Sequence, residues 1–394
     1  MGSFVVGAMF AGCNGGVEEE EVTPNNSEPS SEPTGLEYAD SYTVDGELQT
    51  LFSADDSLWA ISRFAGSYGV DERFDVHKIT GNDDEPVLSL PSPAQRSYSW
   101  TGPVQNGGEE IIASLYTSNA AFSPQDGTHH GVVFFDTDGN LIADHDLYGT
   151  HGVTGPSGFA VDPETGHVYV LVNNSTSVDS ADDIVDFGSS AIIEITDPYR
   201  ENPDYRKISL DGFKNASAIA FRDGKLVVAA ANNTLDETGG DGKLLTIDPA
   251  TEEFLNIVDL PMGVGINGNA PSSVGGELIF TGNNADGESL AVVDADDAVE
   301  SYLVPSGFQS FVASAQSVGS LLFFNVTQGL EVKTALLDPE TGTAEVLDEI
   351  PANFGVGPVF VGAGTYCDGA AATSINNDEA VLSSTITCYQ AVSE

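Results

Sequence analysis

The sequence predicts an all-β chain folded as a seven-bladed β-propeller of four-stranded blades, and three observations point there. A pair of apolar strands joined by an Asn-rich turn recurs along the chain: Val168-Tyr169-Val170-Leu171-Val172-Asn173-Asn174, then Leu226-Val227-Val228-Ala229-Ala230-Ala231-Asn232-Asn233, then Leu278-Ile279-Phe280-Thr281-Gly282-Asn283-Asn284. Several short strands fall in each interval of roughly 40 to 50 residues, the period of propeller blades. Hydrophobic residues make up 40% of the 394, which suits one large repeat domain with a sizeable core.

Taken in order, the chain opens on an address. Residues 4–13, Phe4-Val5-Val6-Gly7-Ala8-Met9-Phe10-Ala11-Gly12-Cys13, are apolar, end in small residues and a cysteine, and are too few to span a bilayer. This stretch resembles a prokaryotic lipoprotein signal, with Phe10-Ala11-Gly12-Cys13 where a lipobox would stand. The resemblance implies cleavage before Cys13, a lipid anchor on Cys13 and an extracytoplasmic protein held to a membrane. Residues 14–35 carry Glu18-Glu19-Glu20-Glu21 and three prolines among Ser, Asn and Glu. They have almost nothing to bury and are expected to form a solvated tether. The propeller domain is assigned to residues 36–394.

Seven units follow, each with an inner strand A and outer strands B, C and D. They are drawn at residues 48–90, 98–148, 158–210, 216–260, 270–304, 311–350 and 357–394. Alternating or continuous apolar runs mark the strands, and Asp-, Asn- and Gly-rich clusters mark the turns. The seventh unit lacks a fourth strand. A strand-like segment at residues 38–44 is left over at the other end of the domain, so the N-terminal strand is expected to complete the last blade and close the ring.

Cysteine count sharpens that last unit. With Cys13 given to lipid, Cys367 and Cys388 remain, and an exported protein can oxidise them. Residues 366–394 read as a hairpin turning at Asn376-Asn377-Asp378-Glu379. A two-residue turn at Asn377-Asp378 puts Cys367 directly opposite Cys388, at a separation a disulfide can bridge.

Turns of the form Asp162-Pro163-Glu164-Thr165-Gly166 and Asp338-Pro339-Glu340-Thr341-Gly342, each after an apolar strand, resemble those of the YVTN, NHL and SMP-30-like propellers. The resemblance covers roughly residues 47–394 and bears on architecture, since propellers of many activities share such turns. Its SMP-30-like branch implies one alternative function, a metal-dependent hydrolase or lactonase with its site in the central channel.

Composition narrows the partners. Asp and Glu number 61 against 12 Lys and Arg, a formal net charge of −49. That field repels phosphate backbones, so nucleic acid is excluded as a partner. Self-repulsion on this scale is relieved by salt, which predicts adaptation to a saline medium. No Gly-x-Ser-x-Gly elbow, His-Glu-x-x-His pair or P-loop occurs. The expected role is a monomeric, non-enzymatic module that binds a protein or glycan.

In a propeller the B–C turns and D–A connections share one face around the central channel. Asn173, Asn174, Asn232, Asn233, Asn283 and Asn284 fall at B–C turns, and His151, Lys214 and Asn267 fall in D–A connections. These groups could meet a sugar, a peptide or a metal-bound water, while Asn is also a routine turn former. Asp179, Asp182, Asp183 and Asp186 share a B–C insertion that would suit Ca²⁺, or else form a solvated acidic face. His129 and His130 sit on another insertion and could hold a different divalent metal with His151. Asn-x-Ser/Thr sequons at Asn174, Asn215 and Asn325 permit glycosylation if they are exposed.

Overall fold

Runs such as Val168–Val172 and Leu226–Ala230 are apolar at consecutive positions, and nearly every residue in them is buried. A strand can only do this when both faces of its sheet are covered. In the computed structural model that covering comes from stacking blades around a ring. The structure describes residues 35–394 except 65–72, 82–84, 91–95, 107–108, 119–129, 178–184, 232–241, 261–271, 275–276, 285–286, 304–308, 311–315, 319–320, 329–330, 339–340, 352–358, 362–363, 377–378 and 393–394. Cys13 and residues 14–34 of the tether lie outside the described residues.

Seven sheets follow one another as blades. Blade 1 is Glu47–Ala54, Ser57–Phe64, Arg73–Ile79 and Leu88–Leu90, and blade 2 is Arg96–Asn106, Glu109–Ser118, Gly131–Asp136 and Leu141–Asp146. Blade 3 is Pro156–Val161, Val168–Val172, Ser189–Thr196 and Asp204–Lys214; blade 4 is Ala216–Arg222, Lys225–Ala230, Lys243–Ile247 and Phe254–Asp259. Blade 5 is Ser272–Val274, Glu277–Asn284, Gly287–Val293 and Val299–Leu303. In blade 6, Leu321–Gln328, Glu331–Asp338 and Thr343–Pro351 are joined by two short inner pieces, Gln309–Ser310 and Gln316–Val318, where one strand was expected.

Blade 7 closes the ring as the leftover strand predicted. Its sheet runs Val359–Val361, Thr365–Asn376, Glu379–Val392 and then, outermost, the N-terminal Gly35–Asp45. The first described strand begins at Gly35. Cys367 and Cys388 are register partners and form a disulfide, with Cα atoms 4.1 Å apart. The crossover into blade 1 is locked by Ser384 of blade 7, whose Oγ donates to Gly46 O at 2.9 Å and accepts from Leu48 N at 2.8 Å. Gly46 has φ of 89°, and a Cβ there would stand 2.8 Å from Arg63 O, so only glycine fits.

The core is divided by interface. Seven apolar clusters lie between successive blades, one at each junction around the ring, the closing 7–1 junction included. Outer strands show the complementary pattern: Phe254–Asp259 is exposed or half-exposed throughout.

Turns on the A–B and C–D face are built by aspartates. In the Asp162 and Asp338 turns the Thr165 and Thr341 hydroxyls donate to the Asp Oδ2 at 2.6 and 2.8 Å, and Gly166 and Gly342 take φ of 73° and 65°. Several C–D turns also clasp the preceding blade. Asp297 of blade 5 accepts from Arg222, Thr246 and Asn256 of blade 4 at 2.8, 2.7 and 3.1 Å. Glu194 of blade 3 accepts from His167, Tyr169 and Arg206, and Arg206 reaches on to Glu252 of blade 4. Burial alone would raise the Glu194 pKa, but the hydrogen bonds from Arg206 and His167 hold it below the ordinary carboxylate value.

Candidate functional site

The B–C and D–A face is described best where blades 2, 3 and 4 meet. The D–A link between blades 2 and 3 contains a short helix, Leu147–His151. Asp146 caps it by accepting from Gly149 N at 2.9 Å, and Gly152 ends it in the left-handed region at φ 64°. The His130 carbonyl accepts from both Leu147 N and Tyr148 N, which ties the helix to blade 2.

Asn174 clamps the neighbouring insertion. Its backbone is left-handed, with φ of 51°. Its Nδ2 donates to Ser189 O at 2.6 Å, its Oδ1 accepts from Thr154 N at 3.3 Å, and its carbonyl accepts from Gly188 N at 3.1 Å. These bonds fix the stem of a two-stranded hairpin, Ser175–Ser177 with Val185–Phe187, which projects beyond the four-stranded plan of blade 3. Asp186 lies in that hairpin opposite Thr176, while Asp179, Asp182 and Asp183 lie outside the described residues.

His130 and His151 pack against different rings. His130 is buried and packs 6.1 Å from the Tyr148 ring, whereas His151 packs 5.0 Å from Tyr205. His129 lies outside the described residues. Tyr205 also meets His145, a residue the sequence did not single out. His145 Nε2 is 2.6 Å from Pro198 O and its Nδ1 is 3.1 Å from the Tyr205 hydroxyl. A carbonyl can only accept, so Nε2 carries the proton and Nδ1 accepts from the tyrosine. Burial lowers the His145 pKa; burial and then the nearby Lys207 lower that of His151. Among the described residues no group of three His, Cys, Asp or Glu side chains is arranged to hold a metal ion.

Other predicted site residues fall as follows. Asn173 donates its backbone N–H to Gly155 O, and Lys214 ends the outer strand of blade 3 opposite Ser189. Asn283 and Asn284 belong to the blade 5 hairpin, paired with Glu288 and Gly287. Asn232, Asn233 and Asn267 lie outside the described residues. Asn325 is buried between strands at 2% exposure, which removes it as a glycosylation site. Among the described residues Ser62 Oγ lies 3.0 Å from His77 Nε2, and both side chains are buried in blade 1.

Sequence reasoning missed a cavity at the closing seam. It has a volume of about 440 Å³ and lies between the N-terminal strand and blade 1, bounded by Asp40, Asp56, Leu58, Ile79 and the Cys367–Cys388 disulfide. Its walls come from segments more than 300 residues apart, so no local motif signals it.

No protein-family model and no curated protein sequence matches the chain. Solved structures do. A streptogramin B lyase structure aligns with a TM-score of 0.53 and 14% identity over 89% of this chain and 97% of that one. The β-propeller domain of the trilobed protease from Pyrococcus furiosus, described as having an open velcro topology, aligns with a TM-score of 0.48 and 9% identity over 82% and 91%. The Pyrococcus horikoshii acylaminoacyl peptidase aligns with a TM-score of 0.48 and 10% identity over 85% of this chain and 50% of that one. At such identities the likeness is one of fold: the chain is a seven-bladed β-propeller.

Proposed function

We propose that this protein is an extracytoplasmic, lipid-anchored binding module that receives a protein or glycan on its B–C and D–A face in a saline environment. The observation that carries the reading is the clamped hairpin of blade 3. Four strands complete a blade, so an extra hairpin fixed by Asn174 to the D–A link is not needed for folding. Rigid scaffolds that hold surplus loops in place commonly use them for recognition. The Cys367–Cys388 disulfide supports an oxidising compartment, and the resemblance at residues 10–13 supplies the anchor on Cys13.

A glycan and peptide array probed with the purified propeller tests this, with a variant in which residues 175–187 are replaced by a short Gly-Ser linker. Binding is expected in the parent and at least tenfold loss in the variant, with an unchanged unfolding midpoint. Equal binding by both would contradict the assignment of the face. The competing reading, a metal-dependent hydrolase, predicts a tightly held stoichiometric divalent ion by elemental analysis. Membrane fractionation checks the anchor: Cys13→Ala is expected to release the protein, and retention would refute lipidation at that residue.

A further inference from the structure

The junction of blades 6 and 7 contains a polar layer beside its apolar cluster. That cluster is Phe323, Tyr366 and Tyr389, flanked by Leu36, Leu321, Leu336 and Leu347. Phe323 and Asn325 share one face of Leu321–Gln328 because strand side chains alternate. Asn325 is paired with Thr334, whose Oγ1 is 2.8 Å from the Tyr366 hydroxyl, so this face looks toward blade 7. From the other side, Tyr366 and Asp368 share a face of Thr365–Asn376, and Asp368 is paired with Thr387. Asn325 and Thr334 on blade 6 thus share a facing surface with Asp368 and Thr387 on blade 7.

Among the described residues, two oxygens in this layer lack a donor. Asn325 and Asp368 are each 2% exposed. Asp368 Oδ1 accepts from Gly369 N at 2.7 Å, but Asp368 Oδ2 and Asn325 Oδ1 are buried with no hydrogen-bond partner among the described residues. An amide oxygen and a carboxylate oxygen both accept, so the two do not satisfy each other while Asp368 is ionised; burial pushes its pKa up to about 8. A carboxylate buried this deeply is stable only when paired or neutralised.

We propose that this layer binds one dehydrated monovalent cation of the Na⁺ or K⁺ class, held between Asp368 Oδ2 and Asn325 Oδ1. Thr334 and Thr387, on the same facing strands, are the hydroxyls that would complete the shell. A single carboxylate balances a single charge, whereas Ca²⁺ calls for six to eight oxygens and usually several carboxylates. The net charge of −49 concentrates cations around the molecule. The ion would join the last complete blade to the blade that closes the ring.

The test is the thermal midpoint of the whole chain at constant ionic strength in NaCl, KCl and choline chloride. A midpoint higher by about 2 °C or more in Na⁺ or K⁺ than in choline is expected, with the difference erased in Asp368→Asn. Should that variant fold poorly, wild-type crystals soaked in Rb⁺ or Tl⁺ give an independent reading through an anomalous peak between residues 325 and 368. Equal wild-type midpoints in all three salts, with no such peak, overturn the proposal. A midpoint that follows pH but not cation identity assigns the place to a proton and overturns it as well.

Discussion

Asn174 shows how much one turn residue can carry. Its left-handed backbone and its side-chain bonds to Ser189 and Thr154 hold a hairpin in place, so Asn174→Ala removes two hydrogen bonds and adds backbone strain. The variant is expected to lose about 2 kcal/mol in urea unfolding, and Asn174→Gly, which keeps the backbone, about 1 kcal/mol. At His145 the prediction concerns pH. Burial depresses its folded pKa below the unfolded value near 6.5, so the stability it contributes is present above that pH and is lost as pH falls through it. The wild-type urea midpoint should therefore drop more between pH 7.5 and 5.5 than that of His145→Gln, whose amide can still donate to Pro198 O. Equal drops would remove His145 as the cause. Neither role was legible in sequence, because the partners of Asn174 and His145 lie 15 to 60 residues away. Asp368 was equally hidden, although a carboxylate beside a predicted disulfide cysteine in an apolar strand is a signal worth reading.

Elements whose rules are local were legible. The Asp-Pro-Glu-Thr-Gly turns fold as their residues dictate, with Asp and Thr bonded within four residues of each other. The last hairpin keeps one register from Asn376↔Glu379 out to Thr365↔Gln390, so the turn alone places Cys367 opposite Cys388. Reducing that bond is expected to lower stability by about 3 kcal/mol, read as a shift in urea midpoint with and without dithiothreitol. A Cys367→Ala, Cys388→Ala variant should not respond to the reductant; a wild-type protein equally indifferent would contradict the stabilising role. Less legible was the inner edge of blade 6, where two short pieces replace one strand. Gln309–Ser310 and Gln316–Val318 pair with Leu321–Gln328 in two different registers, and no local propensity encodes that shift.

Across the whole molecule, stability rests on a ring of seven interfaces, each with its own apolar cluster. Hydrophobic period and strand count reveal such a ring in sequence, whereas the seam cavity and the blade 6–7 polar layer arise only when distant segments meet. The net charge acts at this scale too. Thermal midpoints should climb steadily from 0.05 to about 1 M salt as the Debye length shortens to about 3 Å, and a flat response would refute salt adaptation. Closure makes the ring one cooperative unit, with Gly35–Asp45 supplying the outermost strand of blade 7 and Ser384 locking the crossover into blade 1. Amide hydrogen exchange on a chain lacking residues 35–45 tests this most directly. Protection should fall in the strands of all seven blades; a loss confined to blade 7 would contradict closure as the basis of the fold's stability.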